Sequence, residues 1–200
     1  MDWLPHAMRV LSDELPRVDV TVSSQYSPAL ADGLVRKKLD VAFLRHEPNA
    51  PELAFQLVAS EALVVVLASD HRLAEREAVD PRELAGETFI SVSDTAPVLR
   101  GVIDGYLRQC GLEIAPAHEV DNLAMAISLV ASTRGVALLP LYARNFLPWS
   151  VVSRPVTGEA PAIDLMLGYR KADSSPLLKL FLSRFDQLVQ RQAAGYDVRP

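Results

Sequence analysis

Three places in the 200-residue sequence repeat one arrangement of polar residues: Ser24-Gln25-Tyr26-Ser27-Pro28, Ser91-Val92-Ser93-Asp94-Thr95 and Val120-Asp121-Asn122. Each follows a stretch with strand character and precedes the start of a helix. A helix start leaves N–H groups without intrahelical partners and carries the positive end of the helix dipole. Three such ends facing one cleft make a site for a carboxylate or a similar anion. Serine and asparagine add hydrogen-bond donors there without adding charge. The same residues also serve as ordinary helix caps, and each taken singly fits that role. The recurrence is what points to a ligand. Arg45 ends the strand expected at 39–44, where a guanidinium can hold an anion through two parallel bonds. A solvated arginine at a strand end is the alternative. Arg100, one turn into a helix, reads as a surface residue.

Catalytic and cofactor signatures are missing. There is no Gly-x-Ser-x-Gly turn, no phosphate-binding glycine loop and no dinucleotide fingerprint. His6, His46, His71 and His118 are scattered without metal-ligand spacing. Cys110, the single cysteine, falls on the apolar stripe of a helix and reads as core rather than nucleophile. These features point to a binding module that takes no cofactor and no metal.

Composition narrows the class. Half of the residues are apolar and 22% are charged, the balance of a globular chain. The longest unbroken apolar run, 62–68, is far short of the roughly 20 residues a membrane helix needs. The N-terminus lacks a basic region followed by an apolar stretch, so no secretory signal is expected. A lone cysteine forms no internal disulfide, which fits a reducing cytoplasm. The net charge is −5, and the densest cationic run is only Arg36-Lys37-Lys38. A DNA-gripping domain needs a positive patch, so these residues by themselves are a poor nucleic-acid binder.

The elements that must position the polar loops alternate in type. Apolar residues at Leu4, Ala7, Met8, Leu11 and Leu15 predict a helix stopped by Pro16. Residues 18–22 alternate as a half-buried strand does. Ser27-Pro28 predicts a capped helix running to about Lys37. Strands are expected at 39–44, 53–58, 62–68, 88–92, 118–120, 136–139, 151–156 and 163–169, with a helical turn at 81–84. Helices are expected at 98–110, closed by Gly111, from Asn122 through Ser132, and around Leu177, Leu178, Phe181 and Phe185, with a frayed polar end from Arg191. Alternating strands and helices imply an α/β fold of mixed, mostly parallel sheets flanked by helices. The interruptions near 60 and at 155–168 predict chain crossings between two lobes. One lobe is then made by both ends of the chain and the other by its middle. Ligands in such sheets sit beyond the carboxyl ends of the strands, here in a shared cleft.

Four segments resemble the effector domains of LysR-type transcriptional regulators. Leu39-Asp40-Val41-Ala42-Phe43-Leu44-Arg45 resembles their G-x-L-D-x-A strand. Val64-Val65-Val66-Leu67 followed by Asp70-His71-Arg72-Leu73-Ala74 resembles their D-H-P-L-A segment. Leu84-Ala85-Gly86-Glu87-Thr88-Phe89-Ile90 looks like their next strand entry. Residues 129–140, LVASTRGVALLP, are similar to L-V-A-A-G-x-G-I-A-L-L-P. The pieces run in the family's order and spacing. Arg45-His46-Glu47-Pro48 and Arg154-Pro155-Val156 look most like the branch that regulates degradation of phenylpropionate and related aromatic acids.

The resemblance implies the periplasmic-binding-protein type 2 fold. Lobe I is expected to comprise 1–60 and 162–200, and lobe II 61–161. An organic acid, aromatic in its body, is expected between them. By resemblance Ser27 and Arg45 hold the effector from the first lobe, with Ser91, Ser93, Asn122 and Pro140 in the cleft-lining loops of the second. The family pairs through its first lobe, which implies a homodimer here through 18–37 and a tetramer in the full-length regulator. DNA would be met only through a helix-turn-helix preceding Met1, and the first strand of the domain is likewise expected before Met1. Arg72 stands where the family has proline, and Ser132-Thr133 where it has Ala-Gly. A transport binding protein of the same fold and an enzyme on that fold are the alternatives. The first would need an exported leader, the second a nucleophile or base within reach of the cleft.

Overall fold

The computed structural model describes residues 8, 11–13 and 16–195, with side chains to Phe185. Residues 8 and 11–13 are helical and residues 16–17 form a turn, as Pro16 predicts; the rest of the expected first helix lies outside the described residues. The elements that follow are α1 (Ser27–Val35), β1 (Val41–Leu44), β2 (Leu53–Ala68), β3 (Ile90–Val92), α2 (Pro97–Gln109), β4 (His118–Val120), α3 (Leu123–Thr133), β5 (Val136–Pro140), β6 (Val151–Arg154), β7 (Ala162–Arg170) and α4 (Pro176–Gly195). Single 3-10 turns cover Arg72–Glu75, Pro81–Leu84 and Leu141–Phe146.

β2 organises the molecule. Its 16 residues span roughly 50 Å at the usual rise of a strand. Leu53 to Ala62 pairs antiparallel with β7, and β7 pairs with β1. Leu63 to Ala68 then continues between β5 and β6, again antiparallel. The register shifts between Leu57 and Ala59, a bulge of the kind that bends a strand. One strand therefore serves two sheets. The sequence predicts two strands here, because Ser60 and Glu61 break the apolar pattern. The backbone ladder runs through both of them, to Asp164 and Ile163 of β7.

The buried side chains form two clusters, one for each end of β2. Leu30, Leu34, Ala42, Leu44 and Leu53 lie between α1 and the first sheet. The larger cluster surrounds residues 63–68 and takes in Phe89, Ile103, Leu107, Val130, Leu138 and Ile163. Burying a side chain of this size contributes roughly 1.5–3 kcal/mol. Residues 63–68 are buried without interruption, which is why they read as a continuous apolar run.

Two expectations need correction. The only parallel ladder among the described strands is the short β3–β4 pair, beside two isolated parallel bridges, Val79 to Val156 and Phe89 to Val136. The other ladders are antiparallel, because β2 and β7 carry the chain back and forth between the two bodies. Residues 18–22 form no strand; Val20 and Val22 are exposed, and no described strand lies beside them to complete a ladder.

Candidate functional site

A cleft of about 280 Å³ lies between the two bodies, near the lower end of small-ligand pockets (roughly 300–1,000 Å³). The starts of three helices line it. Gln25, Tyr26 and Ser27 lie at the start of α1, Ala96, Pro97 and Val98 at the start of α2, and Asp121, Asn122 and Leu123 at the start of α3. Arg45 enters from the end of β1 and Pro140 from the end of β5. The convergence expected from the three polar loops is present. Each helix is at least nine residues long, and a helix start leaves first-turn N–H groups without intrahelical partners.

The local chemistry differs at each start. Asn122 is a true cap: its Oδ1 accepts from the N–H of Met125 at 2.8 Å. Ser27 is not, since α1 begins at Ser27 itself, with Tyr26 in the cap position making no side-chain bond. The freed Ser27 hydroxyl oxygen accepts instead from the backbone N–H of Arg45 at 2.9 Å. α2 starts at Pro97, later than Ser93 and Asp94 suggest, and Ala96 cannot cap it. Ser93 folds back on Thr95, hydroxyl to hydroxyl at 2.7 Å. Ser91 is buried in β3, where its hydroxyl lies 3.4 Å from the carbonyl of Val92. Thus Ser27, Arg45, Asn122 and Pro140 are brought together around the cleft, while Ser91 and Ser93 are not among its lining.

Arg45 is the main charged donor. Its Nη1 is buried and lacks a hydrogen-bond partner. Burial lowers its affinity for the proton, and the nearby Tyr142, Glu61 and Asp164 act in the opposite direction. Burial likewise raises the pKa of Glu61 and of Tyr142, with Arg45 opposing both shifts. Glu61 lies on the crossing stretch of β2, and its Oε2 is buried without a partner. Glu47, two residues beyond Arg45, also lines the cleft; burial raises its pKa and His46 opposes. Leu30, Phe43, Leu99, Leu139 and Leu165 supply apolar walls.

Sequence reasoning passed over Glu47, Glu61 and Tyr142. The signal for Glu61 was present, since it is the only charged residue within the 16 of β2. A lone charge in an apolar strand needs a reason. Arg100 is also not the surface residue expected. Its side chain is 21% exposed and its guanidinium bonds Asp104, the carbonyl of Val92 and Glu119. It ties α2 to β3 and β4.

A sequence profile of the LysR substrate binding domain matches residues 1–190. The chain belongs to the LysR substrate-binding domain family. The Hca operon transcriptional activator HcaR of Escherichia coli K12 is 29% identical over 199 residues, covering 98% of this chain and 65% of that protein. AlsR of Bacillus subtilis is 23% identical over 182 residues, covering 90% and 60%. This member of the LysR family thus spans somewhat less than two thirds of those regulators. Both are transcriptional regulators. The fold is that of the effector-binding domains of solved LysR-family structures. A BenM variant domain superposes with a TM-score of 0.85 at 19% identity, covering 95% of this chain and 89% of that one. The QuiR domain, solved with shikimate, superposes at 0.79 with 21% identity, covering 98% and 92%. Among the described residues, no helix is long and apolar enough to cross a membrane.

Proposed function

We propose that this domain is the effector-sensing part of a LysR-type transcriptional regulator and binds a small carboxylate with an aromatic body in the cleft. The observation that carries the reading is Arg45, whose buried Nη1 lacks a partner where three helix starts meet. A carboxylate there gains a charge-assisted bond and the N–H groups of the helix starts. The apolar walls suit a ring. The solved relatives with benzoate and with shikimate support a ring-bearing acid as the ligand class.

The lobe boundaries fit this reading: 1–60 with 162–200 as the first lobe and 61–161 as the second, hinged where β2 and β7 cross. A ligand held by Arg45 on one side and by Asn122 on the other favours the closed arrangement. Closure is passed to a regulator oligomer, paired through 18–37, where Val20, Val22 and Val35 are exposed. DNA is met through a helix-turn-helix outside these residues, in the cytoplasm.

The test is a thermal-shift titration with benzoate and related carboxylates on the wild type and on Ser27→Ala/Arg45→Ala. The double variant is expected to lose the ligand-induced shift. An unchanged shift would sink the site assignment.

A further inference from the structure

Half-burial alternates past the end of β1: Arg45 is half-buried, His46 exposed, Glu47 half-buried. Arg45 and Glu47 both line the cleft. Nη1 of Arg45 and Oε1 of Glu47 are both withdrawn from water without a hydrogen-bond partner. The first can only donate, and the second, in a carboxylate, can only accept. Unpaired polar atoms in an apolar surround are costly, so the cleft calls for a ligand that supplies both an acceptor and a donor. Leu30, Phe43 and Leu165 line the same cleft and offer apolar contact.

We infer that the cleft selects a small carboxylate bearing a second, hydrogen-bond-donating group, a hydroxyl or an ammonium, with the carboxylate on Arg45 and the donor on Glu47. This rests on the carboxylate reading above and narrows it. A plain aromatic acid satisfies Arg45 but seals Glu47 under a ring edge. Burial already raises the pKa of Glu47, and a donor from the ligand would favour its ionised form. A site built around a donor rejects the analogue lacking it far more strongly than an apolar pocket rejects a missing methylene.

The experiment is isothermal titration of the 200-residue chain with benzoate, para-hydroxybenzoate and para-aminomethylbenzoate, repeated on Glu47→Leu, Glu47→Gln and Arg45→Leu. At least one donor-bearing probe is expected to bind about tenfold or more tightly than benzoate in the wild type. Glu47→Leu should erase that advantage. Glu47→Gln should keep part of it for the hydroxyl probe and lose it for the ammonium probe, which separates the two donor types. Equal affinities in the wild type, or an advantage unchanged in Glu47→Leu, overturn the inference. The carboxylate reading survives that result if Arg45→Leu weakens benzoate binding by about tenfold or more. No binding by any of the three probes overturns both. The wild-type ranking needs no variant, so the inference remains testable if Glu47→Leu fails to fold.

Discussion

The hydroxyl of Ser27 accepts a hydrogen bond from the backbone N–H of Arg45 at 2.9 Å, joining the first residue of α1 to the residue that follows β1. The bond fixes the backbone from which the Arg45 guanidinium departs toward the cleft. Ser27→Ala leaves that N–H without its acceptor and should cost roughly 0.5–1.5 kcal/mol in denaturant unfolding. Because the bond positions Arg45, the same variant should also weaken carboxylate binding several-fold by titration calorimetry. Full affinity in Ser27→Ala would show that Arg45 is held by other means.

Arg45 itself can be divided into charge and shape. Arg45→Leu removes both and should reduce affinity for an aromatic carboxylate by about tenfold or more. Arg45→Lys keeps the charge but loses the planar fork, so its affinity should fall between the two. If lysine matches arginine, the ligand is held by charge alone and not by a bidentate bond. The comparison is made by calorimetry at one salt concentration, since exposed charge effects are screened.

Glu61 gives a dependence on pH with a defined sign. Burial raises its pKa above the ordinary 4.5. The folded chain therefore holds this proton more tightly than the unfolded chain does. The stability from that difference is complete below the ordinary value and is lost as pH rises through the raised one. Glu61→Gln, which cannot ionise, should show a smaller decline of Tm than the wild type between about pH 4.5 and neutrality. Parallel Tm profiles for the two proteins would mean that Arg45 and solvent fully compensate the buried carboxylate.

The helices that line the cleft were legible because their signals are local. Asn122 caps α3, Gly111 with φ +73 follows the last turn of α2, and Pro28 and Pro97 sit at helix starts. What the sequence hid depends on neighbours. Residues 18–22 alternate like a strand, but alternation forms no ladder without a partner strand. Residues 53–68 read as two strands because side-chain polarity breaks at Ser60 and Glu61, whereas pairing is made by the backbone. Ser27 looked like a cap because Ser-Pro so often is one; the helix begins one residue earlier than that pattern implies, which frees the hydroxyl for Arg45. The unpaired Glu47 and Arg45 atoms are visible only once the cleft is assembled.

Arg100 links three elements of the second body through one guanidinium. Its bond to the Val92 carbonyl, at 2.8 Å, holds the end of β3 beside α2, just ahead of the cleft-lining Ala96 and Pro97. Arg100→Ala should cost about 1–2 kcal/mol, more than an exposed ion pair, because the side chain is partly buried and one partner is backbone. Hydrogen exchange should quicken at β3 and β4 rather than at β1. Uniform protection across both bodies would show that the clamp is redundant.

The turn between α3 and β5 depends on Gly135 for a reason of space rather than of φ. A Cβ at Gly135 would lie 2.5 Å from the backbone oxygen of Thr88 and 2.9 Å from Cδ1 of Ile90. The Thr88 oxygen cannot retreat freely, because it accepts the N–H of Val136 at 2.9 Å, where β5 enters the second sheet. Gly135→Ala should therefore destabilise the chain by roughly 1–3 kcal/mol. The left-handed conformation in this turn belongs instead to Arg134, at φ 53. Arg134→Gly gives up an exposed ion pair with Asp70, worth little, and relieves a backbone cost of about 1 kcal/mol. It should leave stability unchanged or improve it. Gly101→Ala, in the interior of α2 with nothing within 4 Å of its Cβ, is the control and should stabilise by about 0.5–1 kcal/mol. If Gly135→Ala melts like the wild type while Gly101→Ala is stabilised, the strand entry has room to shift and the close approach to Thr88 does not limit this turn.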